Sequence, residues 1–95
     1  MQVKVKFTGH YEDLFGSYKD VELEDGATLH DLAKTVCTSK EHYQAIFDDS
    51  GRPKPGVGIE EKNGRRIKLI EAGDSKLRDN DEIIIFHFLP EQYVS

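Results

Sequence analysis

The side chains able to do chemistry in this 95-residue chain are four histidines, one cysteine and a scatter of carboxylates and basic residues. His10, His30, His42 and His87 show no HxH or HExxH spacing, so none is paired along the chain to hold a metal. His87 has the strongest claim to a role because it lies on the strand expected to be central, near the tail. Even there, a half-buried imidazole capping the sheet edge is the expected state. Cys37 falls on an apolar helical stripe, which suits a small buried hydrophobe better than a nucleophile, and no partner base is recognisable. As the single cysteine it excludes an internal disulfide or a multi-cysteine zinc site. Ser17, Asp25, Asp48, Asp49 and Asp81 fit turns and caps rather than a triad or a paired-acid site. The glycines form neither GxGxxG nor a Walker loop. Lys62, Arg65, Arg66 and Lys68 make a basic cluster around one turn, suited to solvent or to an acidic partner. No catalytic constellation emerges, so neither an enzyme nor a bound cofactor is expected.

The totals narrow the class further. Acidic residues outnumber basic ones by 18 to 13, a net charge of −5, which argues against a nucleic-acid binder that must displace counterions with a basic stripe. The length suits one domain over residues 1–95 with one modest core. No apolar run approaches the roughly 20 residues needed to span a bilayer. Met1-Gln2-Val3-Lys4 has no signal-peptide pattern, so a cytoplasmic protein without membrane contact is expected.

Elements able to position these groups follow from periodicity. Val3, Val5 and Phe7 alternate with Gln2, Lys4, Lys6 and Thr8, which predicts a half-buried strand over 2–8. Residues 9–16 read as a loop or hairpin connection, with Tyr11, Leu14 and Phe15 tucked onto the core. A second strand covers 17–23, ended by the turn Glu24-Asp25-Gly26. Thr28 and Asp31 resemble a capping box, and Leu29, Leu32, Ala33, Val36 and Cys37 fall on one helical stripe. Ser39 caps a shorter helical piece carrying Tyr43, Ile46 and Phe47. Gly51, Pro53 and Pro55 mark 48–56 as loop. A short strand over 57–61, the Asn63-Gly64 turn and a return over 65–70 form a hairpin. After the Asp79-Asn80-Asp81 turn, where Asn80 tolerates a left-handed backbone, a last strand runs to Pro90. Ile83, Ile85, His87 and Leu89 share one face of that strand, while Ile84, Phe86 and Phe88 share the other. Both faces are apolar, so the strand should be central, and one row is left over once a single principal helix covers the other.

This order, with Leu77-x-Asp79-x-Asp81-Glu82 before the closing strand, resembles the ubiquitin-like β-grasp sulfur carriers. These are the small subunit of molybdopterin synthase (MoaD) and the thiamine sulfur carrier (ThiS). The segment from Phe47-Asp48-Asp49-Ser50-Gly51-Arg52-Pro53 to Val57 resembles one common in the MoaD branch. Asn63-Gly64-Arg65 resembles its next hairpin, and Glu24-Asp25-Gly26-Ala27-Thr28-Leu29 completes a likeness over nearly the whole chain.

The resemblance implies an α+β ubiquitin-like β-grasp: a mixed five-stranded sheet, first and last strands parallel and adjacent, and one principal helix across one face. It places Ile83 and Ile85 inward. Ile84, Phe86 and Phe88 become an outward row of the kind such carriers use to dock partner enzymes. It also brings a departure. Carriers of this type end in Gly-Gly, which threads an activating enzyme and receives a thiocarboxylate. Counted without gaps from Asp79, that pair falls on Glu91 and Gln92, and no two of the eight glycines are adjacent.

The expected protein is therefore a non-conjugating interaction module associated with molybdopterin, tungstopterin or sulfur-transfer enzymes. Its partner would be a larger molybdopterin-synthase-like subunit or an adenylating enzyme, bound through Ile84, Phe86, Phe88, Glu91 and Gln92 in a short tail over 90–95. The alternative is sulfur delivery in molybdopterin or thiamine synthesis, with an activating enzyme that tolerates Val94-Ser95 or with residues beyond Ser95.

Overall fold

The computed structural model describes residues 1–87, so Phe88, Glu91, Gln92 and the expected tail over 90–95 lie outside the described residues. Strand β1 (Gln2–Phe7) alternates exposed and buried side chains, as its sequence requires. It pairs antiparallel with β2 (Tyr18–Glu22), Val3 opposite Val21. The connection between them corrects the loop expected over 9–16: it is a helix, α1 (His10–Phe15). Tyr11 and Phe15, four residues apart, are 1% and 6% exposed, and the Phe15 ring stacks on Phe7 with centroids 4.8 Å apart. Leu14 does not tuck inward; at 44% exposed it faces solvent. Tertiary packing holds this helix, since Gly9 at its N-cap makes no side-chain cap bond.

Helix α2 (Leu29–Val36) starts at the expected box. Thr28 Oγ1 accepts from the Asp31 amide at 3.3 Å and Asp31 Oδ2 accepts from the Thr28 amide at 2.9 Å. Eight residues are too few to hold a helix in water alone, where about 12–15 are marginal. Burial of Leu29, Leu32, Ala33 and Val36 supplies the difference, at roughly 1.5–3 kcal/mol for each large side chain. Helix α3 (Lys40–Ile46) follows with Ser39 as N-cap, and buries Ile46 with Phe47 just beyond it.

Strand β3 (Val57–Asn63) runs two residues past the expected 57–61, because Lys62 pairs with Glu82 and Ile67, and Asn63 with Arg66, on its two sides. Strand β4 (Arg66–Leu69) returns, and β5 (Asp81–His87) closes the sheet in the order β2-β1-β5-β3-β4. Strand β5 is central, parallel to β1 and antiparallel to β3. Asn80, at φ 65°, turns the chain into it. The buried face of the sheet carries Val3, Val5, Phe7, Ile59, Ile83 and Ile85 against α2, Ile46 and Phe47. This is the mixed five-stranded sheet with a principal helix that the resemblance implies, with α3 where Ser39 is expected to cap a shorter helix and only α1 added.

Candidate functional site

The face of the sheet away from α2 is organised by register. One row crosses all five strands as Tyr18, Lys6, Ile84, Glu60 and Leu69. The next crosses as Asp20, Lys4, Glu82, Lys62 and Ile67, so charges alternate in sign until the apolar end. Opposite charges on directly paired residues stabilise neighbouring strands by roughly 0.2–1 kcal/mol each, and they fill the ground between the apolar members. Lys4 Nζ also lies 5.5 Å from the centre of the Tyr18 ring.

Ile84 and Phe86 sit half-buried in the middle of this face, while Ile83 and Ile85 point inward at 0% and 5% exposed. Phe86 lies opposite Gly58, and a Cβ on Gly58 would stand 2.2 Å from the Phe86 Cζ. The ring is thus laid over the bare backbone of β3. Flanking the pair are side chains the sequence did not single out for the face: Tyr18 and Ile67, each 60% exposed, and Leu69, 53% exposed. Their exposure follows from strand order, since β2 and β4 are the sheet edges.

The expected histidine picture needs one correction. His87 sits on the central strand, as expected, but it is exposed rather than half-buried. Its ring meets His10 edge-on at 5.1 Å between centroids, with Tyr11 at 6.2 Å. His30 and His42 lie elsewhere, against Tyr43 Oη at 3.2 Å and Thr38 Oγ1 at 3.3 Å. Among the described residues no group of three or more His, Cys, Asp or Glu side chains is placed to hold a metal. Cys37 is half-buried beside α2, and burial pushes its thiol above the ordinary value. That disfavours the reactive thiolate.

Asp48 and Asp81 do act in turns and caps. Asp48 Oδ1 accepts from the Ser50 and Arg52 amides and the Ser50 hydroxyl, and these bonds, the hydroxyl first, hold its carboxyl below the ordinary value. Asp81 accepts from the Arg78 amide at 2.8 Å and from Asn63 Nδ2 at 2.6 Å. Beside it, however, lies a paired acid that the sequence reading passed over. Glu61 is 4% exposed and Asp81 1% exposed, on the same buried face of β3 and β5. Glu61 Oε1 accepts from Arg66 Nη2 at 3.3 Å, but Glu61 Oε2 is buried without a geometric hydrogen-bond partner among the described residues. Burial first, then the Asp81 carboxyl, raises the Glu61 pKa, with Arg66 and Lys68 pulling the other way. The signal was present: Val57, Ile59 and Glu61 alternate onto one face.

No family profile matches the chain, and no curated protein matches it in sequence. Solved structures do match. Haloferax volcanii small archaeal modifier protein 1 superposes with a TM-score of 0.72 at 18% identity, over 93% of this chain and 98% of that one. A Pyrococcus furiosus protein described as molybdopterin converting factor, subunit 1, superposes with a TM-score of 0.64 at 26% identity, over 94% of this chain and 99% of that one. Sheet order, the parallel β1–β5 pair, the helix across one face and superpositions over more than nine-tenths of the chain agree: the chain has the ubiquitin-like β-grasp fold, built like these two proteins.

Proposed function

We propose that this chain is a docking module on the ubiquitin-like scaffold that serves a molybdopterin, tungstopterin or sulfur-transfer enzyme without being conjugated. It is not itself a catalyst. The observation that supports this reading is the half-buried Ile84/Phe86 pair at the centre of the sheet face opposite α2, which no helix among the described residues covers. Apolar side chains in such a setting, rimmed by alternating charges, are the composition of a protein interface core and its polar rim. In the sequence Phe88 continues the alternation, and Glu91 and Gln92 stand where a carrier would present Gly-Gly; all three lie outside the described residues. The partner is a larger subunit of the molybdopterin-synthase type or an adenylating enzyme.

The test is a pull-down from the native host with the intact mass of the recovered bait, repeated with Phe86→Asp and Ile84→Glu. Loss of one stable partner in both variants, with unchanged thermal midpoints and an unmodified bait, is the expected result. Recovery of an adenylating enzyme together with a bait heavier by one sulfur-for-oxygen exchange would instead make the chain a sulfur carrier. Retention of the partner by both variants would move the interface off this face.

A further inference from the structure

Strand β4 is the last in the sheet, and among the described residues no strand pairs with its outer edge. The Ile70 amide donates to the Ile59 carbonyl at 2.8 Å. By the alternation of an antiparallel ladder, Arg66 and Lys68 also turn their backbone groups toward β3, while Ile67 and Leu69 turn theirs outward. The side chains divide the same way. Ile67 and Leu69 lie on the face opposite α2, largely exposed, and Arg66 and Lys68 lie on the other face, beside Glu61. Residues 62–68 carry four cations and no acid in a chain whose net charge is −5.

We propose that the edge of β4 accepts an extended segment of a partner protein, with acidic and apolar residues alternating, as a sixth strand. The open amides and carbonyls of Ile67 and Leu69 supply the main-chain bonds. Acidic side chains of the added strand fall beside Arg66 and Lys68, and apolar ones fall beside Ile67 and Leu69. Charge selects this occupant over a second copy of the chain. An antiparallel self-pair centred on Ile67 sets Arg66 opposite Lys68, and one centred on Lys68 sets that lysine opposite itself. Like charges directly opposite each other destabilise a strand pair. Charge also selects this edge over the other one, because β2 presents Asp20 and Glu22. Cations on an edge strand guard against aggregation, but protection alone gives no reason for two largely exposed aliphatic side chains on a four-residue strand. The inference does not depend on the Ile84/Phe86 reading.

The probe is a synthetic peptide of alternating valine and glutamate, titrated into the full chain and followed by amide NMR, with a valine–lysine peptide as control. Binding should shift the Ile67 and Leu69 amides, slow their exchange, and weaken as salt rises. Lys68→Glu should weaken it roughly fivefold, as one exposed ion pair becomes a repulsion. Ile67→Pro removes an outward N–H that β3 does not use, so it should abolish binding while the sheet resonances persist. Phe86→Asp should leave peptide binding unchanged, which separates this edge from the docking face. The proposal is overturned if the glutamate peptide leaves the Ile67 and Leu69 amides unmoved, or if the lysine peptide shifts them equally.

Discussion

Gly58 and Phe86 face each other across β3 and β5, and the Phe86 ring occupies the space where a side chain at position 58 would begin. Glycine here is a packing requirement of the neighbouring strand, since its backbone needs no left-handed conformation. The atoms that would collide are the far edge of a ring, which can swing away while the backbone stays. Gly58→Ala is therefore expected to cost about 1 kcal/mol, near the low end for overpacking, and to lift Phe86 into solvent. In the native protein the Gly58 α-protons should show an upfield ring-current shift that the Phe86→Leu variant removes. Gly58→Ala should raise the binding of an apolar fluorescent dye. An unchanged dye signal would mean that the ring had found another seat on the sheet.

Much of this fold could be read from local chemistry, and the misses were non-local. The Thr28–Asp31 box, the Leu29/Leu32/Ala33/Val36 stripe and the left-handed Asn80 all depend on residues within a turn of one another, and all are present. Helix α1 escaped because its one periodic signal, Tyr11 with Phe15, is a single i, i+4 pair between glycines, and its stability comes from Phe7 on another element. Alternation divides the last strand into two apolar rows, and the resemblance to β-grasp carriers, not alternation, puts Ile84 and Phe86 on the outward one. The exposure of Ile67 and Leu69 follows from neither, because it depends on β4 being last in the sheet. Glu61 sits on a face that alternation identifies, but its closeness to Asp81 is created by the pairing of β3 with β5.

The Glu61–Asp81 pair makes stability depend on pH in a definite direction. Glu61 holds its proton more tightly folded than unfolded, so its contribution is fully present below the ordinary glutamate pKa. It is lost as pH rises from that value through the raised one, because the unfolded chain releases the proton first. Glu61→Gln fixes the neutral state and offers Asp81 an amide donor. The variant should be more stable than the native chain at mildly alkaline pH, by on the order of 1 kcal/mol, and show a flatter profile in this window. Urea midpoints measured from acid to mildly alkaline pH decide the matter. Parallel profiles for the two proteins would remove Glu61 as the titrating group.

Gly73 carries the last prediction, because it joins two loops to the start of α2. Its carbonyl accepts from the His30 amide at 2.8 Å, and a Cβ on it would stand 2.5 Å from the Gly51 carbonyl oxygen. The obstacle in this case is backbone. It is pinned in turn, because the Gly51 amide donates to the Asp48 carbonyl at 3.0 Å and Asp48 Oδ1 gathers the Ser50 and Arg52 amides. No side chain can swing aside to relieve the contact, so Gly73→Ala should cost about 2–3 kcal/mol, at the upper end for overpacking. For a domain of this size each kcal/mol lowers the thermal midpoint by about 4–8 °C. The His30 amide should lose exchange protection at the same time. If the midpoint fell while His30 remained protected, the strain would have been relieved by moving the loop over residues 48–56, leaving the start of α2 in place.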